Sequence, residues 1–371
     1  MRVKVGALLA TFVVALVGAA VATSKSAGGP SAAAMVAKYS GPVAWSAPGP
    51  KINAANAKGK TVAYIPIIGN IPYTQEVSGA FREAMKVVGV KVSFFGGTQG
   101  TPDSWSKAVE EAIAQKVSAI VLQGVNPGLI APAIADANKA HIPIVEGFTH
   151  NLGQAHSKGV NVELTYDSFL IGKMMGDYAV YATKGNADSV VFYDTDTPVT
   201  AALTAGIKAE FKRLCPSTCK TKIDNLVVAD WATKLPLLTQ SAVADPNVNV
   251  LFPLFDGEVS YVVPAVHAAN AQDRVKVVSF NATSGVMKYL AQRDVLVADV
   301  GDPLQWVGYQ FADQALRLLL HVPTANPLKE SAPIRLFTPA NFSSATLSKP
   351  EWQWYGTTDF RAKFRQLWGA K

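Results

Sequence analysis

Residues 60–148 read KTVAYIPIIGNIPYTQEVSGAFREAMKVVGVKVSFFGGTQGTPDSWSKAVEEAIAQKVSAIVLQGVNPGLIAPAIADANKAHIPIVEGF. Short β-branched runs at 61–68, 90–95, 118–122 and 142–145 alternate here with amphipathic segments of helical length, the pattern of consecutive parallel strands joined by crossover helices. The first helix carries Val77, Ala80, Phe81, Ala84, Met85 and Val88 on one stripe, and Gly89 ends it, because glycine enters the left-handed conformation without a Cβ clash. The second opens on Thr101, Pro102 and Asp103, a capping hydroxyl, a first-turn proline and a first-turn acid, and its stripe is Trp105, Ala108, Val109, Ala112 and Ile113. Ligands of open parallel sheets sit beyond the carboxyl ends of the strands, so the loops at 69–73, 96–100, 123–128 and 147–151 form one functional rim.

Outward from this unit the pattern repeats. A strand at 160–165 and a helix capped by Asp167 close the first set. Strands at 189–193, 223–228, 249–253 and 275–280 then alternate with helices at 199–214, 233–244 and 257–271. A strand at 295–300 precedes a helix that places Trp306, Tyr309, Ala312, Leu316 and Leu319 on one side, and one further strand is expected at 334–337. The expected fold class is α/β, two Rossmann-like lobes with parallel sheets, and 371 residues suffice for both.

The ends of the chain read differently. Residues 1–22, MRVKVGALLATFVVALVGAAVA, combine two cations, an apolar core and a small-residue Ala20-Val21-Ala22 site, a secretory signal peptide. A membrane anchor is the competing reading, disfavoured because no basic cluster follows. A lipid anchor is not expected, since no cysteine lies near the cleavage point, and the mature chain is expected free in an oxidising periplasm. Residues 23–59, rich in Ala, Gly, Pro and Ser, read as an extended linker. The only cysteines, Cys215 and Cys219, flank a proline turn and are expected to form a local disulfide.

Composition and motifs exclude several functions. The net charge is +7, but Arg2 and Lys4 lie in the leader and the other cations are scattered, so no nucleic-acid partner is expected. There is no G-x-G-x-x-G after a strand, no P-loop, no H-E-x-x-H and no G-x-S-x-G. His141, His150, His156, His267 and His321 show no ligand spacing; His150 and His156 read as exposed loop histidines. No enzyme activity, cofactor or metal is expected.

The order of elements and five local stretches resemble the periplasmic solute-binding proteins of sugar-type ABC transporters, the type I, ribose-binding-like group. They are IPYTQEVSGAFREAMKVVGV, AVEEAIAQKVSAIVLQGVNPGLIAPAIADANKAHIPIV, TYDSFLIGKMMGDY, PNVNVLFPLFDGEVSYVVPAV and VKVVSFNAT. The resemblance covers about residues 60–340. It implies two lobes joined by a three-crossing hinge, an N-terminal lobe of 60–165 plus 303–331, a C-terminal lobe of 166–302 plus 332–345, and a tail at 346–371. It implies a small-molecule ligand captured in the interlobe cleft, a membrane permease as partner, and a monomer. A sensor that presents its ligand to a receptor would use the same fold.

Carried over residue by residue, the resemblance places Asn70, Tyr73, Phe148, Trp231, Phe255 beside Asp256, Asn281 and Asp302 at the ligand. Sugar binders of this group commonly carry aspartate, arginine and asparagine where this chain has Phe148, Ala201 and Phe255. Those three are the residues that usually grip sugar hydroxyls, and without the arginine a carboxylate loses its partner, so a neutral ligand is expected. A monosaccharide or polyol comes first on the resemblance, and a more apolar or aromatic molecule second. The aromatics also fit ordinary core packing, Asn281 a turn, and Asp302 the cap of the helix that follows.

Overall fold

The computed structural model describes residues 31–324, 333–356 and 359–370. The signal-peptide reading at 1–22 lies outside the described residues. Two sheets organise the remainder. Strands β1 (Thr61–Pro66), β2 (Lys91–Phe94), β3 (Ala119–Gln123), β4 (Ile144–Asn151) and β5 (Val162–Tyr166) form a five-stranded parallel sheet of order β2-β1-β3-β4-β5. Strands β6 (Asp188–Asp194), β7 (Lys220–Leu226), β8 (Val250–Pro253), β9 (Lys276–Asn281), β10 (Leu296–Gly301) and β11 (Arg335–Phe337) form the second, of order β11-β10-β9-β8-β6-β7, in which only β11 runs antiparallel. These are the two α/β lobes that the sequence predicts.

Alternate strand residues face opposite sides, and each side meets a helix layer. In the first lobe Val62 and Tyr64 pack with Phe81 of α2 (Pro72–Val87) and Phe311 of α10 (Leu304–Leu319). Ala63 and Ile65 pack with Trp105 and Val109 of α3 (Pro102–Ala114) and with Ile134 of α4 (Ala131–Lys139). In the second lobe α5 (Ser168–Ala182) and α6 (Val199–Leu214) cover one face. The other is covered by α7 (Trp231–Ala244), α8 (Asp256–Ala268) and α9 (Ser284–Ala291). Two glycines permit the closest helix crossings: a Cβ on Gly308 would lie 2.4 Å from the Val77 carbonyl oxygen, and one on Gly172 2.0 Å from that of Leu203. The caps read from sequence are present, with Thr101 accepting from the Ser104 amide and Asp167 from that of Leu170.

The chain passes between the sheets after β5, since α5 packs on α6. It passes again between β10 and α10, which packs on α2, and a third time between α10 and β11. Residues 31–59 do not run as an extended linker. Helix α1 (Ala32–Tyr39) packs on α5, Trp45 stacks on Trp306 at 5.1 Å, and a 3-10 turn at Ala54–Ala57 is fully buried at both ends. The tail also packs. Its last helix, Phe360–Trp368, lies on α10, with Trp368 stacked on Tyr309 and its indole nitrogen donating to Asp313 at 2.8 Å. Asp313 and Arg317 form a fully buried ion pair beneath it, and Arg317 also donates to the Pro50 carbonyl. Cys215 and Cys219 are disulfide-bonded.

Candidate functional site

The carboxyl ends of the two sheets face one another across a cavity. Hydrogen bonds between the opposing rims close it, from the Asn126 side-chain amide to the Asp196 carbonyl at 3.4 Å and from the Ser284 amide to a Glu76 carboxylate oxygen at 3.2 Å. The space open to the centre of a water molecule is about 60 Å³. This suits one small molecule.

Five residues expected at the ligand line this cavity, namely Tyr73, Phe148, Trp231, Phe255 and Asn281. Phe148 lies at the irregularity in β4 with φ of 66°, and Asn281 ends β9 with φ of 121°. Both are backbone conformations that non-glycine residues seldom adopt, and such strain concentrates where a site needs a side chain aimed. The Phe148 ring stacks on Tyr166 at 4.1 Å with 3° between planes, and Phe280 meets Tyr166 edge-on at 5.6 Å. Across the cavity the Trp231 indole is oriented by its N–H, which donates to Asp194 at 2.8 Å. Its ring lies so near Gly257 that a Cβ there would fall 2.4 Å from it.

Three expected contacts do not line the cavity. Asn70 is exposed at the turn before α2. Asp256 is buried behind Asn281, its carboxylate taken by Ser279 and by the amide and hydroxyl of Thr283. Asp302 is fully buried, accepting from the Tyr166 hydroxyl and, at 3.4 Å, from the Asn281 side chain. It does not cap α10 through its side chain; Glu351 of the tail accepts from the Leu304 amide there at 3.0 Å. Ala201 is exposed on α6, and Thr197 and Val199 line the cavity instead, so the residue matched to the family's arginine stands on the wrong face. His150 is not an exposed loop histidine but part of β4, with its side chain 25% exposed.

The acids therefore form a layer behind the walls. Burial pushes Asp302 up to about 7, against the opposing hydrogen bonds from Tyr166 and Asn281. Burial likewise pushes Asp194 up to about 6, and it raises Glu258 far more, with the Asp194 charge adding to it. Asp194 in turn holds the indole. Tyr73 is raised by burial and then by the Asp302 charge, so its phenol stays neutral.

What remains at the surface of the cavity is uncharged. None of the lining residues is an acid or a base, and the polar groups come from Tyr73, Tyr166, Ser168, Thr197 and Asn281. The Thr197 hydroxyl is buried with no protein partner, an arrangement that costs free energy until something fills it. Such a surface can stack on a ring and satisfy a few hydrogen bonds; it offers no general base or activated nucleophile. Sequence reasoning missed Thr197, Tyr166 and Phe280. The last two occupy the carboxyl ends of β5 and β9, and the strand-end rule used for the first lobe would have found them.

The family described as periplasmic binding protein domain matches residues 62–321. No curated protein matches the chain. Among solved structures, a 5-methylthioribose transporter solute-binding protein from Thermotoga lettingae in complex with 5-methylthioribose is 18% identical. The match covers 86% of this chain and 99% of that one, with a TM-score of 0.71. An ABC transporter solute-binding protein from Agrobacterium vitis bound with alpha-D-tagatopyranose is 17% identical, covering 78% and 98%, with a TM-score of 0.69. A carbohydrate transporter solute-binding protein from Agrobacterium radiobacter in complex with D-arabinose is 22% identical, covering 78% and 97%, with a TM-score of 0.66.

Proposed function

Because the chain belongs to the periplasmic binding protein domain family, a family of binding proteins and not of enzymes, we propose that it captures one small neutral molecule between its lobes and hands it to a membrane permease. On this reading residues 1–22 are removed on export and the mature chain works as a monomer, free in the periplasm. No helix among the described residues is long and apolar enough to cross a membrane.

One observation carries the choice of ligand: the cavity is walled by Phe148, Tyr166, Trp231, Phe255 and Phe280 and has no charged lining residue. A carboxylate or ammonium would leave water without a countercharge to receive it. A ring with apolar faces gains stacking on both lobes, and closure then buries it. This inverts the order drawn from sequence: a sparsely hydroxylated ring compound comes first, hydrogen-bonded to Thr197 and Asn281. A fully hydroxylated monosaccharide or polyol is the second reading, favoured by the sugars bound in the neighbouring structures.

The test is to purify the exported protein, denature it, and identify the released small molecule by mass spectrometry, then return it by calorimetric titration. A neutral ring compound binding one to one is expected. A carboxylate or amine as the best ligand would overturn the assignment.

A further inference from the structure

Away from the cavity, on the far side of the β4 irregularity, Glu146, His150 and Glu163 converge. In a regular strand residues four apart lie roughly 13 Å apart along the axis. Here the register shift in β4 and the left-handed Phe148 fold the chain back, so that His150 Nδ1 comes within 3.2 Å of Glu146 Oε1. Glu163 is the register partner of Glu146 on β5, and its Oε2 also lies 3.2 Å from that nitrogen.

Both distances are longer than charge-assisted hydrogen bonds, which run at about 2.7 to 2.9 Å, and Thr149 Oγ1 lies 3.1 Å from the same nitrogen, so three oxygens gather round one ring nitrogen that carries at most one hydrogen. The two spacings to the carboxyl oxygens suit a metal. With bonds of about 2.0 Å to nitrogen and oxygen, ligand atoms of a tetrahedral zinc ion lie about 3.3 Å apart.

Hydrogen bonds from neighbouring groups hold both carboxylates in place, in the way that orients metal ligands. Glu163 Oε1 accepts from the amides of His150 at 2.8 Å and Thr149 at 3.2 Å, leaving Oε2 to the imidazole alone. Glu146 Oε2 accepts from the Ser157 amide at 3.2 Å, while Oε1 receives the hydroxyls of Thr149 and Ser157. The two carboxylates are 0% and 5% exposed, and among the described residues neither pairs with a lysine or arginine. His150, a quarter exposed, leaves a way in.

We propose that Glu146, His150 and Glu163 form a site for one divalent first-row cation of the zinc class, with a water or one of the two hydroxyls completing the tetrahedron. The cation crosslinks β4 to β5 on either side of Phe148 and so holds the strained turn that presents that ring to the cavity.

The experiment uses tag-free, chelator-treated full-length mature protein titrated with Zn²⁺ by calorimetry, alongside Glu163→Gln and His150→Ala. Circular dichroism checks that each variant folds, and because the two changes lie on different strands one misfolded variant does not end the test. One zinc per chain is expected in the wild type, and at least tenfold weaker binding in each folded variant. No zinc binding by the wild type, or a loss of less than tenfold in a folded variant, would overturn the proposal. So would tighter binding of Ca²⁺ than of Zn²⁺, since calcium prefers six or more oxygens.

Discussion

Replacing Asp302 by asparagine is expected to flatten the pH dependence of stability. The carboxyl is fully buried where β10 gives way to α10, and its folded-state pKa is about 7 against an ordinary 3.8. A raised folded pKa means that the folded protein holds the proton more tightly than the unfolded chain. Its stabilisation is therefore complete below about pH 4 and is lost as the pH rises through 7. Three units at about 1.36 kcal/mol each make about 4 kcal/mol over the whole window, of which about 2 to 3 kcal/mol falls between pH 5 and pH 8. Other buried acids, Asp194, Asp256, Glu258, Asp299 and Glu351, are raised as well, so the wild-type slope contains several protons. The difference between wild type and Asp302→Asn isolates one of them. Asparagine resembles the protonated acid and keeps an oxygen for the Tyr166 hydroxyl. Urea denaturation of both proteins at pH 5, 6, 7 and 8 should show the variant losing about 2 to 3 kcal/mol less across that range. Parallel slopes, agreeing within about 0.5 kcal/mol, would refute the argument that burial keeps this group protonated.

Trp231→Ala should weaken binding of the released ligand at least tenfold by calorimetry, about 1.4 kcal/mol, because it removes a wall and leaves Asp194 without its indole donor; binding within twofold of wild type would count against the pocket. Thr197→Val removes a single neutral hydrogen bond and should cost about 0.5 to 1.5 kcal/mol of affinity, with little change in melting temperature. Asp313→Ala strands Arg317 in a fully buried position and should cost about 3 to 5 kcal/mol in denaturant titrations; an unchanged midpoint would mean that the tail does not depend on this pair. Replacing both Cys215 and Cys219 by serine should cost only about 2 kcal/mol, since the bridge closes a short loop, and intact mass after alkylation of native protein should show no free thiol.

The two-sheet fold was legible because its information is local. The β-branched runs, the Thr101 and Asp167 caps and the Gly89 stop each act within a few residues, and helix α6 has the bounds 199–214 expected from the sequence. Helix α9 escaped notice because eight residues make only two turns, too few for a period to stand out. The N-terminal segment and the tail were opaque for a different reason. Trp45, Phe364 and Trp368 find their partners on α10, far away in the chain, and no local pattern reveals that. At the site the aromatic walls were legible from the resemblance, whereas Asp256 and Asp302 were misplaced by one layer. Whether a carboxylate faces the ligand or the back of a neighbour depends on side-chain geometry that residue type does not encode. The slip at Ala201 is of the same kind, since two residues along a helix change the face.

The proposed capture of a neutral ring depends on an uncharged, aromatic-walled cavity. The most direct measurement is a thermal-shift screen of the mature protein against matched sets of neutral ring compounds, free sugars and polyols, carboxylates and amines, repeated on Trp231→Ala. Stabilisation by one or more neutral compounds, lost in the variant, is the predicted result. Stabilisation confined to carboxylates or amines, or stabilisation that survives unchanged in Trp231→Ala, would contradict it.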